Sequence, residues 1–346
     1  MKMWMSLCMC MLLVLTGCEH RELSDPDGGH YVRVYLDEHI RNVSFGFYDE
    51  TKEKPEYRTP EAIRATLSDP VTGRVVKEGF LFDSGKDEKG NYLAGYIDAE
   101  PGNYHLLAYN YDTESTHVKQ EYSYEGMEVY TNLIDESLKN RLQCVRSAEN
   151  PPIDPIRYEP DHFFVAGAEN IRIQDTNERD TIFTNEGEHP VASTLVKTYY
   201  IQINVKGVEY VQSAVAVITG MAGSTKLHDR SMVSDNVASV YFNLQNGYNK
   251  NRTNEVPTVA YANFNTFGKL PETEGYIEIT FEFKTKFNTV QTETIRLTDM
   301  FETHDVKVNQ WIIIDKIIEI IPPDGDDGGM TPGVGKWEEI EGTIII

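Results

Sequence analysis

The amino-acid sequence predicts an all-β protein built as two β-sandwich domains, with one short amphipathic helix in the first. Three observations carry this. Stretches of alternating apolar and polar residues recur along both halves of the chain, Gly, Pro, Asn and Asp punctuate them, and the period becomes helical only near Leu133. A chain of 346 residues is long for one β-domain and comfortable for two.

Residues 1–17 stand outside this plan. Lys2 precedes an apolar run from Met5 to Leu15, too short to cross a bilayer as a helix, so the stretch is expected to be a secretory signal. It ends in Leu15-Thr16-Gly17-Cys18, which resembles the lipobox of bacterial lipoproteins. That resemblance implies cleavage before Cys18 and acylation of its sulfur, which makes membrane lipid the first partner. Residues 18–29 are short, polar and rich in Asp, Pro and Gly, as suits a tether.

The first sandwich is assigned to residues 30–149. In Tyr31 to Leu36, Val32, Val34 and Leu36 share one face, and Val43, Phe45 and Phe47 repeat the alternation. Ile63, Ala65 and Leu67 continue it up to the turn Asp69-Pro70-Val71-Thr72-Gly73, after which Val75-Val76 returns. Pro101-Gly102 turns the chain into a strand from Tyr104 to Asn110 with apolar or aromatic residues on both faces, which suits a central strand. Leu133, Ile134, Leu138, Leu142 and Val145 then fall at helical spacing, and this helix is expected to pack against the first sandwich.

Asn150-Pro151-Pro152-Ile153-Asp154-Pro155 forbids helix and central strand, so residues 150–160 are read as the inter-domain linker. The second sandwich is assigned to 161–323. Tyr199, Ile201, Ile203 and Val205 alternate, as do Ala238 to Leu244 and Ile277 to Phe283. Val215 to Ile218 is apolar on both faces and runs into a flexible turn at Thr219-Gly220-Met221-Ala222-Gly223, and Trp311 to Ile321 reads as a buried closing strand. Residues 324–346 form an acidic Gly linker and a terminal β-prone segment with Trp337, Ile340, Ile344 and Ile346. A detached apolar strand must pair somewhere. It either folds back on an edge of its own domain or adds to a strand of a partner, which makes these four residues the candidate partner-binding set.

Composition narrows the function. The net charge of −23 repels phosphate backbones and anionic lipid, so nucleic acid is not an expected partner and only acyl chains would hold the protein to a membrane. Of four cysteines, Cys8 and Cys10 leave with the signal and Cys18 carries lipid, which leaves Cys144 alone, without a disulfide partner or a nucleophile context. No histidine pattern suits zinc, and no nucleophile elbow, Walker loop or dinucleotide fingerprint occurs. Asp112 with Glu114, and Asp324 with Asp326 and Asp327, lack the ligand count of a calcium loop and read as solvated carboxylates. No cofactor, metal or catalytic residue is therefore expected. The tyrosines Tyr104, Tyr109, Tyr111, Tyr122, Tyr124 and Tyr130 are expected to be mostly ordinary sandwich residues, although exposed ones make good platforms for sugars or proteins.

Pro101-Gly102-Asn103-Tyr104 running into Ala108-Tyr109-Asn110-Tyr111-Asp112-Thr113-Glu114, behind a lipobox and a tether, resembles the DUF5119 lipoproteins of Bacteroidota. These are similar in architecture to fimbrial anchor and assembly lipoproteins of the FimB type. The strand ending in Gly220-Met221-Ala222-Gly223, then Thr266-Phe267-Gly268 and a Trp311-led last strand, is similar to the second domain of those anchors. The resemblance implies Greek-key, transthyretin-like sandwiches. It also implies an outer-membrane, surface-exposed lipoprotein that anchors or assembles a fimbria-like adhesin, with fimbrial subunits as partners and no enzymatic activity. The alternative reading is a surface glycan-binding lipoprotein, which requires a solvent-facing Trp or Tyr platform.

Overall fold

The computed structural model describes residues 29–37, 59–143, 154–174, 181–182, 184, 187–247, 258–271 and 277–322. The expectations for Cys18, Val43, Phe45, Phe47, Cys144, Val145 and the tail with Trp337, Ile340, Ile344 and Ile346 lie outside these residues.

The chain order begins β1 (His30–Leu36), β2 (Ile63–Ser68), β3 (Val75–Leu81), β4 (Asp83–Asp87), β5 (Gly90–Ile97) and β6 (Gly102–Asn110). It continues with β7 (Thr116–Lys119), β8 (Glu128–Thr131), helix α1 (Glu136–Arg141), β9 (Ile156–Tyr158), β10 (Phe164–Ile173), β11 (Thr181–Ile182) and β12 (Val191–Thr194). Then follow β13 (Lys197–Lys206), β14 (Val211–Ala222), β15 (Ser224–Lys226) and β16 (Val237–Gly247). The last four are β17 (Val259–Thr266), β18 (Glu278–Thr285), β19 (Val290–Arg296) and β20 (Trp311–Glu319).

The all-β, two-sandwich expectation holds. The first body runs in the order β3-β2-β6-β10-β12-β1-β5-β4, with β11 beside β1. Its core is filled by alternate residues of each strand, among them Val32, Val34, Ile63, Leu67, Leu93, Leu106 and Phe164. β3 and β4 are one run that changes sheets at Phe82, pairing first with β2 and then with β5. The body closes there because two glycines permit close contact: a Cβ at Gly79 would sit 2.6 Å from the Tyr96 carbonyl, and one at Gly95 2.7 Å from the Phe80 carbonyl. The Asp69 turn forms as expected, its carboxylate accepting from the Val71 and Thr72 backbone N–H groups.

The second body runs β19-β18-β14-β16-β17-β13-β20, with β9 beside β16. Phe242 stacks on Phe264 at 4.3 Å, with Ile201, Ile279, Phe281 and Ile312 buried around them. A three-stranded sheet, β15-β8-β7, ties the halves together, since β8 comes from the first half and β15 from the second.

Several sequence expectations need correction. The sheets do not change at the Pro-rich linker: β10 and β12 follow it in sequence yet pair with β6 and β1 of the first body, so the change of body falls between Thr194 and Lys197. Ile156–Tyr158, inside that linker, forms a short strand parallel to β16. Pro155 tolerates this because it needs only to accept, and its carbonyl takes the Ser239 N–H. Helix α1 spans only six residues, and its flanking Ile134 and Leu142 bury against Ile156 and Val217 of the second body rather than against the first. That contact also explains why β14 is apolar on both faces: Ala216 and Ile218 enter the core, while Val217 faces the helix segment. The Gly220 region is not a turn but the end of β14, with a register shift between Ile218 and Met221. The last strand, β20, lies at the end of its sheet rather than within it.

β6 has the role its composition implied. Leu106 and Ala108 face the first core, while Leu107 and Tyr109 join a junction cluster with Phe163, Leu195, Ala222, Leu227 and Phe267. The two bodies therefore share apolar surface rather than hang from a free linker.

Candidate functional site: the β19–β20 seam

β20 pairs with β13 in parallel along one edge. Backbone bonds at its ends, Tyr200 N–H to the Gln310 carbonyl and Ile320 N–H to the Lys206 carbonyl, show that even-numbered residues turn their backbone toward β13. By the two-residue period, Trp311, Ile313, Ile317 and Glu319 turn theirs outward. Among the described residues no strand pairs with that outer edge, nor with the outer edge of β19.

Side chains bridge the gap between these two edges. Gln291 on β19 donates through Nε2 to the Glu319 carbonyl at 2.9 Å, and Lys316 forms an ion pair with Glu293. The register of β20 against β13 jumps after Ile314, so Asp315 and Lys316 form a bulge of the kind that blunts edges. Ile312, Ile314 and Ile318 bury their side chains, whereas Ile317 is 56% and Ile321 68% exposed. The seam thus offers an edge that no neighbouring strand covers among the described residues, beside exposed aliphatic side chains and bridged by contacts a competing strand could displace. It can form a β-ladder with an extended segment, and it has the aliphatic surface to favour an apolar one.

The junction of the two bodies holds a polar cluster. Asp161 accepts from the backbone N–H groups of Glu114, Ser115 and Thr116 at 3.0, 2.7 and 3.0 Å, and so pins the loop after β6. Glu159 accepts from the Asn265 N–H at 3.0 Å, and burial with the nearby Asp161 charge raises its pKa to about 7. Burial pushes His162 down to about 4, so its ring is neutral at physiological pH. Thr113 donates its hydroxyl to the Thr116 carbonyl and caps the turn there, whereas Asn110 reaches across to β10, accepting from the Phe164 N–H. The Asp161 and Glu159 hydrogen bonds tie this junction to the loop after β6 and to β17.

Asp112 accepts from the Glu61 N–H, and no group of three metal-ligating side chains occurs among the described residues. Of the tyrosines, Tyr109 and Tyr124 are buried, while Tyr111 and Tyr122 are 53% and 79% exposed. His105 stacks on Tyr124 at 4.6 Å and accepts from the Asn170 N–H, a local structural role. The seam's bridging pair, Gln291 with Glu319, and the Asp161 staple had no sequence signal beyond ordinary polar residues in strands and turns.

Comparison with known proteins bears on this geometry. Residues 76–243 match the family model described as domain of unknown function DUF5119. The DUF5119 match runs from β3 to β16, across the Pro-rich segment and both bodies. The chain is 25% identical over 310 residues to a Bacteroides ovatus protein named "Putative fimbrium anchoring subunit Fim4B", covering 84% of this chain and 78% of the relative. A crystal structure of a "putative adhesin" from Bacteroides ovatus has the same fold, with a TM-score of 0.54 at 22% identity, covering 90% of this chain and 99% of its own. The fimbrial anchor protein Mfa2 from Porphyromonas gingivalis aligns over 84% of this chain and 90% of its own, with 13% identity and a TM-score of 0.42.

Proposed function

We propose that this chain is a fimbria-associated, non-enzymatic protein of the cell envelope that anchors or assists assembly of a fimbria-like adhesin through strand-edge contact at the β19–β20 seam. The observation that carries the reading is the outer edge of β20, where outward-turned backbone groups lie beside the exposed Ile317. The resemblance to a fimbrium-anchoring relative supports the same class. Cys18, acylated, holds the chain to the outer membrane, and Trp337, Ile340, Ile344 and Ile346 supply a strand to the partner or to the seam itself.

The test is co-purification from the native outer membrane. The full chain, a chain ending at Pro323 and an Ile317→Lys variant are compared, with folding checked by circular dichroism. Capture of a secreted β-rich subunit, reduced in both altered chains while folding is kept, supports the reading. Equal capture by all three refutes strand-edge contact, and failure of the chain ending at Pro323 to fold assigns the tail to its own domain.

A glycan-binding role is the second reading. It is favoured by an exposed aromatic group at one edge of the first body, where Phe80 lies 6.0 Å from Phe82 and 5.4 Å from Tyr111. Saturable binding of a surface polysaccharide, lost in Tyr111→Ala, would establish it.

A further inference from the structure

A cavity of about 600 Å³ opens where β13 and β20 begin, and three lysines line it in a chain whose net charge is −23. Lys269 and Lys307 converge on one carboxylate, Glu302, at 2.9 and 2.6 Å. The two ammonium groups hold Glu302 well below the usual carboxylate range, at about 2, so it stays ionised while neutralising only one of them. Lys197, the third, forms no ion pair among the described residues and lies against Gly268, 3.3 Å from where a Cβ would stand.

The wall and floor differ from this rim. Phe301 and Val306 are buried and present apolar surface. Tyr199 is 95% buried by its 5% exposure, stacked between Phe264 and Phe301 at 5.6 Å from each, and borders the cavity. Burial raises the pKa of its hydroxyl to about 12, so it remains a protonated donor at the cavity. A protonated phenol that borders the cavity can donate to a ligand oxygen placed there.

We infer that this cavity binds an organic carboxylate, with the anionic head taken by Lys197, Lys307 and the Tyr199 hydroxyl and the body lying on Phe301 and Val306. Ammonium groups act as point charges and accept any anion. The apolar wall selects one that carries a hydrocarbon or ring face, and the single phenol donor suits a carboxylate oxygen. The inference is independent of the fimbrial reading, because it concerns the end of the second body rather than its open edge.

The probes are hexanoate, glucuronate, 1-hexanol and inorganic sulfate, titrated into the full folded chain by calorimetry at constant ionic strength. Hexanoate or glucuronate should bind saturably, and 1-hexanol should not. Tyr199→Phe keeps the ring and removes only the donor, and it should weaken binding about tenfold, as should Lys197→Ala, the loss expected for a hydrogen bond to a charged group. Both variants should keep the native thermal midpoint. Saturation by hexanoate with glucuronate inactive identifies an aliphatic acid, and the converse identifies a sugar acid. Absence of saturable binding by either carboxylate overturns the inference. So does binding unchanged in both variants, and so does sulfate binding as tightly as the carboxylates.

Discussion

Glu159 tests how the two bodies are locked. Its carboxylate sits in the junction, accepting from the Asn265 N–H at 3.0 Å, with its pKa raised to about 7 by burial and by the charge of Asp161. A carboxyl whose folded-state pKa lies above its unfolded value keeps a proton that the unfolded chain releases. The stability it contributes is fully present below the ordinary carboxylate pKa and is lost as pH rises through about 7. A shift of this size corresponds to roughly 3 kcal/mol at most. Because Glu159 keeps some solvent contact, we expect about 2 kcal/mol. Glu159→Gln keeps an acceptor for Asn265 and cannot ionise. It should match the native chain at about pH 4.5 and exceed it by about 2 kcal/mol at about pH 8. His162, held down to about 4, acts in the opposite direction: its contribution is present above its ordinary pKa and is lost as pH falls through about 4. It is common to both chains, so the difference between them isolates Glu159. Urea unfolding followed by Trp fluorescence from acid to mildly alkaline pH measures that difference. A difference independent of pH, or a Glu159→Gln chain less stable at about pH 8, would refute the reasoning.

Three further perturbations follow from packing. Gly79→Val places a side chain against the Tyr96 carbonyl and Ile97 and should destabilise by about 2–3 kcal/mol in thermal or urea unfolding, since backbone on the far side cannot give way. Arg64 is 6% exposed and joins Glu78, Glu121 and the Tyr109 hydroxyl, so Arg64→Ala should cost about 3 kcal/mol, with less lost at acid pH where the carboxylates are neutral. Leu142→Ala should cost about 2–3 kcal/mol and leave the first body's hydrogen-exchange protection intact, because Leu142 packs on Ile156 and Val217.

Local patterns carried much of the fold. The alternation in Tyr31 to Leu36 and in Tyr199 to Val205 marks the strands and the faces they bury, because a side chain's face depends only on its position along its own strand. The Asp69 turn was equally legible, since the carboxylate closes it within four residues. The helix after Leu133 was recognisable but overestimated, because its apolar stripe includes Ile134 and Leu142, which bury from outside the six helical residues. Apolar runs on both faces of β6 and β14 revealed that something covers each face without saying what.

An acidic, strand-rich chain, the places where it turns and the side chains that seek burial could all be read from the amino-acid order alone. The folded arrangement was needed to show that β10 and β12 belong to the first body, that the helix segment covers the second, and that β20 is left at an edge. It alone brought Glu159 to Asn265 across 106 positions and Tyr199 to the lysines around Glu302. The reason is physical: an alternating pattern specifies the buried face of a strand, whereas the choice of neighbouring strand is made by backbone groups that are the same in almost every residue.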